Sequence, residues 1–167
     1  MNILAIDPGN MESAYVIMSA ETCEPISFGK VPNADLISTI VNVGIFGVRF
    51  FVIERVACYG MPVGREVFDT CEWIGRFSQV IDTAHDVEPE YILRMEEKQT
   101  ICHDNRAGDA NIRRALIDRF AKHDLKAGKG TKRNPDFFYG FAADVWAAFA
   151  VGYTWLVKKG FYKEAAL

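Results

Sequence analysis

Three acids in this sequence sit where an unaccompanied carboxylate is expensive. Asp7 closes the apolar run Ile3-Leu4-Ala5-Ile6 and is followed at once by Pro8 and Gly9. Glu54 closes Phe51-Val52-Ile53, and Asp144 is the sole charge in FFYGFAADVWAAFAVGYTWLV, residues 137–157. A carboxylate held away from water needs a cation partner. Acids far apart in sequence, each embedded in apolar surroundings, are most economically explained by convergence on a divalent metal ion. Hard oxygen ligands with no accompanying His/Cys cluster favour magnesium or manganese over zinc. Taken singly, Asp7 also fits an ordinary turn residue ahead of Pro-Gly. Glu54, between Ile53 and Arg55-Val56, is harder to place without a partner.

The elements that must position these acids follow a sheet-first pattern. Residues 3–7, 14–18 and 26–31 read as a meander of three short strands, with PGN and the ETCEP stretch as turns. Leu36, Ile37, Ile40 and Val41 recur at helical spacing over 35–43, and the apolar run 50–54 suggests a central parallel strand buried on both faces. Val63, Val67, Cys71, Ile74 and Ile81 mark one face of a helix, 91–93 a further strand, and Ile112, Ala115, Leu116 and Phe120 another helix. The last helix carries Asp144. The predicted class is α/β with a mixed sheet. Asp7 and Glu54 then both end core strands, where ligands gather in such sheets.

Composition narrows the field. A chain of 167 residues, half of them apolar, is expected to form one domain over 1–167. Cys23, Cys58, Cys71 and Cys102 contain no CxxC pair, which predicts reduced, buried thiols rather than a zinc module or a disulfide framework. No basic segment followed by an apolar one marks a secretory signal, so a cytoplasmic location is predicted. Residues 137–157 are as long as a membrane span, but a carboxylate a third of the way along is costly in lipid. A core helix beside an active site, with no membrane partner, is the expectation.

The residues also carry a resemblance. LAIDPG with Asp7, VIE with Glu54, and AADVWAAFAVG with Asp144 resemble the acid positions of RuvC-type Holliday junction resolvases, a nuclease branch of the ribonuclease H-like fold. The similarity spans nearly the whole chain. It is closest to phage-encoded members, whose pattern is similar to ACYGMPVG at 57–64, Phe68-Asp69-Thr70, Lys98-Gln99-Thr100, Asp109-Ala110-Asn111-Ile112-Arg113, and Tyr139-Gly140. Each motif is weak alone; their order and spacing together are specific. Two positions depart from the pattern. Bacterial members carry an Asp or His three residues before the helix acid, where this chain has Phe141, which cannot bind metal. Asp136 and water are the alternative fourth ligands, although Asp136 also suits a turn after Pro135. Where bacterial relatives have a second DNA-contacting Lys stands Asp109, which suits an N-cap for a helix over 111–120. Lys98 matches the family's basic position near the site.

The resemblance implies a ribonuclease H-like fold with a mixed five-stranded sheet flanked by helices. It implies two Mg2+ ions, replaceable by Mn2+, with Asp7 bridging them, Glu54 holding one with the catalytic water and Asp144 completing the other. Two such ions stabilise both the attacking and the leaving oxygen in phosphodiester hydrolysis. The expected substrate is branched DNA, cut during recombination, repair or phage DNA processing.

The charge distribution agrees with a nucleic-acid partner. The formal net charge is only -3, yet 11 of the 19 Lys and Arg fall between Arg94 and Arg133, among them Lys98, Arg106 and Arg113. Asp109 and Asp118 can neutralise part of this set along a solvated helix. KAGKGTKR, residues 126–133, instead sets Lys126, Lys129, Lys132 and Arg133 among glycines, as a mobile DNA-contacting arm. Tyr59 and Met61, in a Gly/Pro loop after Glu54, are candidates to wedge into a junction. Phe68, Trp73, Phe77 and Trp146 fit helical core patterns better than stacking platforms. A homodimer across the 61–84 helix is expected, because a junction has two-fold symmetry and that helix has a second apolar edge of Phe68, Trp73 and Phe77. Two alternatives share these features: a ribonuclease H acting on RNA/DNA hybrids, and a non-catalytic branched-DNA-binding protein. An actin-like or sugar-kinase ATPase has a similar first turn but needs two such domains.

Overall fold

Strict alternation in the first strand organises the molecule, whose computed structural model describes residues 1–58, 60 and 62–163. β1 (Asn2–Asp7), β2 (Glu12–Ser19) and β3 (Pro25–Pro32) form the antiparallel meander. α1 (Asn33–Asn42) and a 3-10 turn lead into β4 (Val48–Arg55), which lies parallel to β1. α2 (Arg65–His85) then crosses to β5 (Glu90–Leu93), parallel to β4. The chain ends in α3 (Arg94–Cys102), α4 (Asp109–Phe120) and α5 (Val145–Lys159). The sheet order is β3-β2-β1-β4-β5, a mixed five-stranded sheet with helices on both faces.

Because successive strand side chains point to opposite faces, β1 feeds two cores. Leu4 and Ile6 pack with Leu36 and Ile40 of α1 and with Ile74, Phe77 and Ile81 of α2. Ile3 and Ala5 pack with α4 and α5 on the other face. Gly152 lets α5 lie close on β1: a Cβ there would stand 2.9 Å from Ala5 Cβ and 2.3 Å from Met18 Cε. The residues expected to form an apolar run of membrane-span length are divided. Residues 137–144 form turns, in which Phe138 and Phe141 pack on Phe149, and the helix itself begins only at Val145. No helix among the described residues is long and apolar enough to cross a membrane.

Three sequence expectations change. The buried face of α2 is Thr70, Ile74, Phe77 and Ile81. Val63 and Cys71, placed on that face by periodicity, are exposed, and Val63 precedes the helix. Phe77 is fully buried, whereas Phe68 is 60% exposed and Trp73 half-buried, so the second edge of α2 is narrower than expected and Phe68 is not core. Of the four cysteines only Cys23 is buried, and none is in a disulfide.

Candidate active site

Parity and register bring Asp7 and Glu54 together. β1 and β4 pair in parallel through Ile6 and Ile53, so the next residue on each strand, Asp7 and Glu54, ends side by side on the face that carries Ala5 and Val52. The turn after Asp7 is fixed by a small buried network. Ser13 Oγ donates to Asn33 Oδ1 at 2.6 Å, Gly9 N donates to Ser13 Oγ at 3.1 Å, and Asn33 Nδ2 donates to Gly9 O at 2.9 Å. Gly9 has no room for a side chain, since a Cβ would lie 2.3 Å from Glu12 O. Asp144 reaches the same face from the opposite direction, as the residue that precedes α5, after Ala143 in a left-handed conformation with φ 42°. An alanine there carries backbone strain of about 1–2 kcal/mol, of the kind found at functional sites.

Asp7 and Glu54 are hydrogen-bonded to each other, which requires a proton between them. Burial, the Glu54 charge and a hydrogen bond with Glu54 push Asp7 up to about 8, with Asp144 adding to the effect and Arg94 opposing it. Burial also raises Glu54, against the Asp7 hydrogen bond and Arg94. Asp144 pairs with Lys30, Oδ2 to Nζ 2.7 Å. Lys30 occupies the row Asp7, Ala14, Lys30 across three strands, which puts it on the face of the acids.

Two further residues complete the cluster, and neither was picked out from sequence. Arg94 opens α3 and bridges Glu97 and Asp109. Glu97 is fully buried, with one oxygen on Arg94 and the other, Oε1, without a partner among the described residues. Burial and Glu54 push Glu97 up to about 9, against the pull of Arg94. The signal available was Glu97 four residues before the buried Ile101, which places an acid on the inner face of a helix. Asp109 is not the cap of α4: that position is Gly108, whose N–H is bonded by Asn111 Oδ1, and Asp109 serves Arg94.

Asp136 is withdrawn as a fourth ligand. Its carboxylate accepts the backbone N–H groups of Lys122, His123, Asp124 and Phe137, which hold it well below the usual carboxylate range. Phe141, three residues before Asp144, is core and packs against Phe28 at 4.6 Å. Asp124 plays the same part as Asp136 within the basic loop, accepting from Lys126, Ala127, Lys129 and Gly130. The 126–133 segment is therefore tied to the Asp124 carboxylate, and Asp136 fixes the residues on either side of it, so it is not a free arm. Arg113, Lys126 and Lys129 line one cleft. Lys132 and Arg133 are exposed on the same loop, Lys98 is half-buried on α3, and Arg106 is exposed beside Asp104 in the α3–α4 connection. Tyr59 and Met61 lie outside the described residues.

The donor set fits a divalent cation. Among the described residues no three carboxylate, imidazole or thiol groups are gathered tightly enough to enclose an ion as they stand, Asp144 being paired with Lys30 instead. Asp7 and Glu54, however, are hard oxygen donors in a place where two negative charges cannot coexist without added positive charge. A titration of stability checks this. The folded protein keeps protons on Asp7 that the unfolded chain releases near pH 4, so the stability tied to Asp7 is complete below about pH 4 and is lost as pH rises through about 8. Raised Glu54 and Glu97 act in the same direction. In EDTA the melting temperature is expected to fall between about pH 5.5 and 8, magnesium to restore it at the upper end, and Asp7→Asn to flatten the slope. A metal-free melting temperature that rises over this window would contradict the shared-proton arrangement.

Sheet order, acids at the ends of two adjacent strands and a third just before α5 fit a ribonuclease H-like α/β fold. In particular, the chain has the fold of RuvC. It superposes on Thermus thermophilus RuvC with a TM-score of 0.70 at 12% identity, covering 96% of this chain and 98% of that one. The same protein in complex with a Holliday junction substrate gives 0.68 at 11% identity, covering 96% of both chains. The Fowlpox virus resolvase in complex with its substrate Holliday junction DNA gives 0.52 at 14% identity, covering 95% of this chain and 99% of that one. In sequence, no protein-family model and no curated protein matches the chain.

Proposed function

We propose that this protein is a metal-dependent endonuclease that cuts four-way junctions and other branched DNA. The observation that carries the reading is the pairing of Asp7 with Glu54 at the ends of adjacent strands, with Asp144 facing the same end of the sheet, in a chain with the fold of junction resolvases. Asp7, Glu54 and Asp144 would hold Mg2+ or Mn2+, two ions serving best. Bound there, the ions would supply an activated water and stabilise the leaving oxygen of a phosphodiester. Lys30 must release Asp144 for this, and a lysine freed beside the site is placed to meet a phosphate. Arg94 offsets the charge of Glu54 and fixes Glu97 and Asp109 behind it. Arg113, Lys126, Lys129, Lys132 and Arg133 supply the positive surface for the DNA backbone, with Lys98 and Arg106 further along the same half of the chain.

Resolution of a junction needs two matched cuts, which a symmetric homodimer delivers. The exposed Phe68 and half-buried Trp73 on α2 are the apolar surface offered for it. The resemblance to phage-encoded members supports work in recombination, repair or phage DNA processing in a host cytoplasm. A supercoiled plasmid with an extruded cruciform tests the assignment. Paired cuts within one binding event, giving linear product directly, are expected, together with a dimer in sedimentation. Singly nicked circles from a strict monomer would leave a structure-selective nickase and remove the resolvase.

A further inference from the structure

Beside the acids opens a cleft of about 660 Å3 between α4, the basic loop and the start of α5. It shares Asp109, Arg113, Ala143 and Trp146 with the small cavity that contains Asp144, so the two are continuous. We propose that this cleft receives one unstacked nucleotide of the strand being cut, its base lying on the Arg113 guanidinium and its phosphates against Lys126 and Lys129. The inference rests on the nuclease reading above and names a substrate contact that the reading does not contain.

Four observations converge on a nucleotide. First, the Arg113 guanidinium lies over the Trp146 ring at 4.5 Å, while the indole is itself fixed against Phe138 at 4.5 Å. A guanidinium held flat in this way presents a planar cationic face, on which nucleobases stack. Second, three of the four cations that line the cleft are free of ion pairs among the described residues. Arg94 and Arg114 are tied to Glu97, Asp109 and Asp118, whereas Arg113, Lys126 and Lys129 have no carboxylate partner among the described residues. The one acid at the rim, Asp109, is neutralised by Arg94. Third, Trp146 is only 7% exposed beneath the guanidinium, so the face offered to a ligand in the cleft is that of Arg113 and not that of the indole. Fourth, the size suits a small organic ligand, and the floor of Ile117 and alanines is apolar, as a base face requires. The walls are held in place, because Asp124 fixes the backbone N–H groups of Lys126 and Lys129.

Such a slot also explains selection of branched DNA. Removing a base from a continuous duplex costs a few kcal/mol, and the cost is least where stacking is already broken. Nucleotides at a branch point enter the slot most cheaply.

The test compares intact four-way junctions with junctions made abasic at each nucleotide flanking the mapped cut. Binding is measured by anisotropy with Glu54→Gln in the background so that the DNA stays whole. Alone, and combined with Arg113→Lys or Ala110→Phe, this protein is assayed on both substrates. Arg113 and Ala110 are exposed on α4, so neither change endangers folding. Removal of one flanking base is expected to weaken the parent about tenfold, the usual scale of a base–side-chain stack. The two α4 variants should already be weakened by that factor on the intact junction and lose nothing more on the abasic one. Equal affinity of the parent for both junctions, or variants that lose the same factor on both, would overturn the slot while leaving the nuclease reading in place. A wild-type protein that cuts no branched DNA with magnesium would remove both.

Discussion

Asp7→Asn, Glu54→Gln and Asp144→Asn are each expected to abolish junction cleavage, by on the order of a thousandfold or more, while junction affinity stays within a few-fold of wild type. The split follows from where these side chains are. All three stand on the α5 face at one end of the sheet, where Asp7 and Glu54 already compete for a proton. Replacing one carboxylate by its amide keeps shape and removes the charge that would retain a cation. The DNA contacts proposed for Arg113 and the 126–133 loop would be untouched. The fold should not suffer either: neutralising Asp7 relieves repulsion with Glu54, so Asp7→Asn should melt no lower than wild type at about pH 8 in EDTA. Wild-type cleavage rates in any of the three would remove that residue from the site.

The second large effect is expected from the basic loop. Lys126, Lys129, Lys132 and Arg133 changed together to Ala should weaken binding to every DNA shape, on the order of a hundredfold at low salt. The dependence of log K on log salt should flatten by roughly 0.9 for each phosphate that is no longer neutralised. Folding is insulated from the change, because the loop is held by the backbone N–H groups of Lys126, Ala127, Lys129 and Gly130 on Asp124, while among the described residues none of the four side chains makes an ion pair. An affinity and a salt slope equal to wild type would return the loop to ordinary solvated surface.

Much of this was legible in the sequence, for a physical reason. The meander, β4 and the parity that carries Asp7 and Glu54 to one face are local periodicities, and an acid ending an apolar run is visible without a structure. What escaped depended on contacts between distant segments. α3 went unread because its inner face carries Glu97 as well as Ile101, so no apolar rhythm marked it. Lys30 joins the site only through the two-strand register that aligns it with Asp7. Asp136 offered itself as a ligand by its position before the last helix, yet it is consumed by four backbone donors that no spacing rule reveals. The same is true of the loop, whose glycines suggested mobility. Gly130 is instead required by its positive φ of 65° and by Asn134 O, 2.3 Å from where a Cβ would stand. On α2, Phe77 and Phe68 look alike in sequence; only the crossing of α2 over α1 and the sheet decides that one is core and the other exposed.

One gel tests whether the protein is a junction-cutting nuclease. End-labelled four-way junction, linear duplex, flap and RNA/DNA hybrid are each incubated with the wild-type protein in magnesium and in EDTA. Cuts are expected in the junction, with or without the flap, that need magnesium and vanish with Glu54→Gln, and an intact duplex and hybrid. Cleavage of the hybrid in preference to the junction would make the protein a ribonuclease H. Binding of the junction with no magnesium-dependent cut in any substrate would leave a DNA-binding protein and contradict the assignment of Asp7, Glu54 and Asp144 to catalysis.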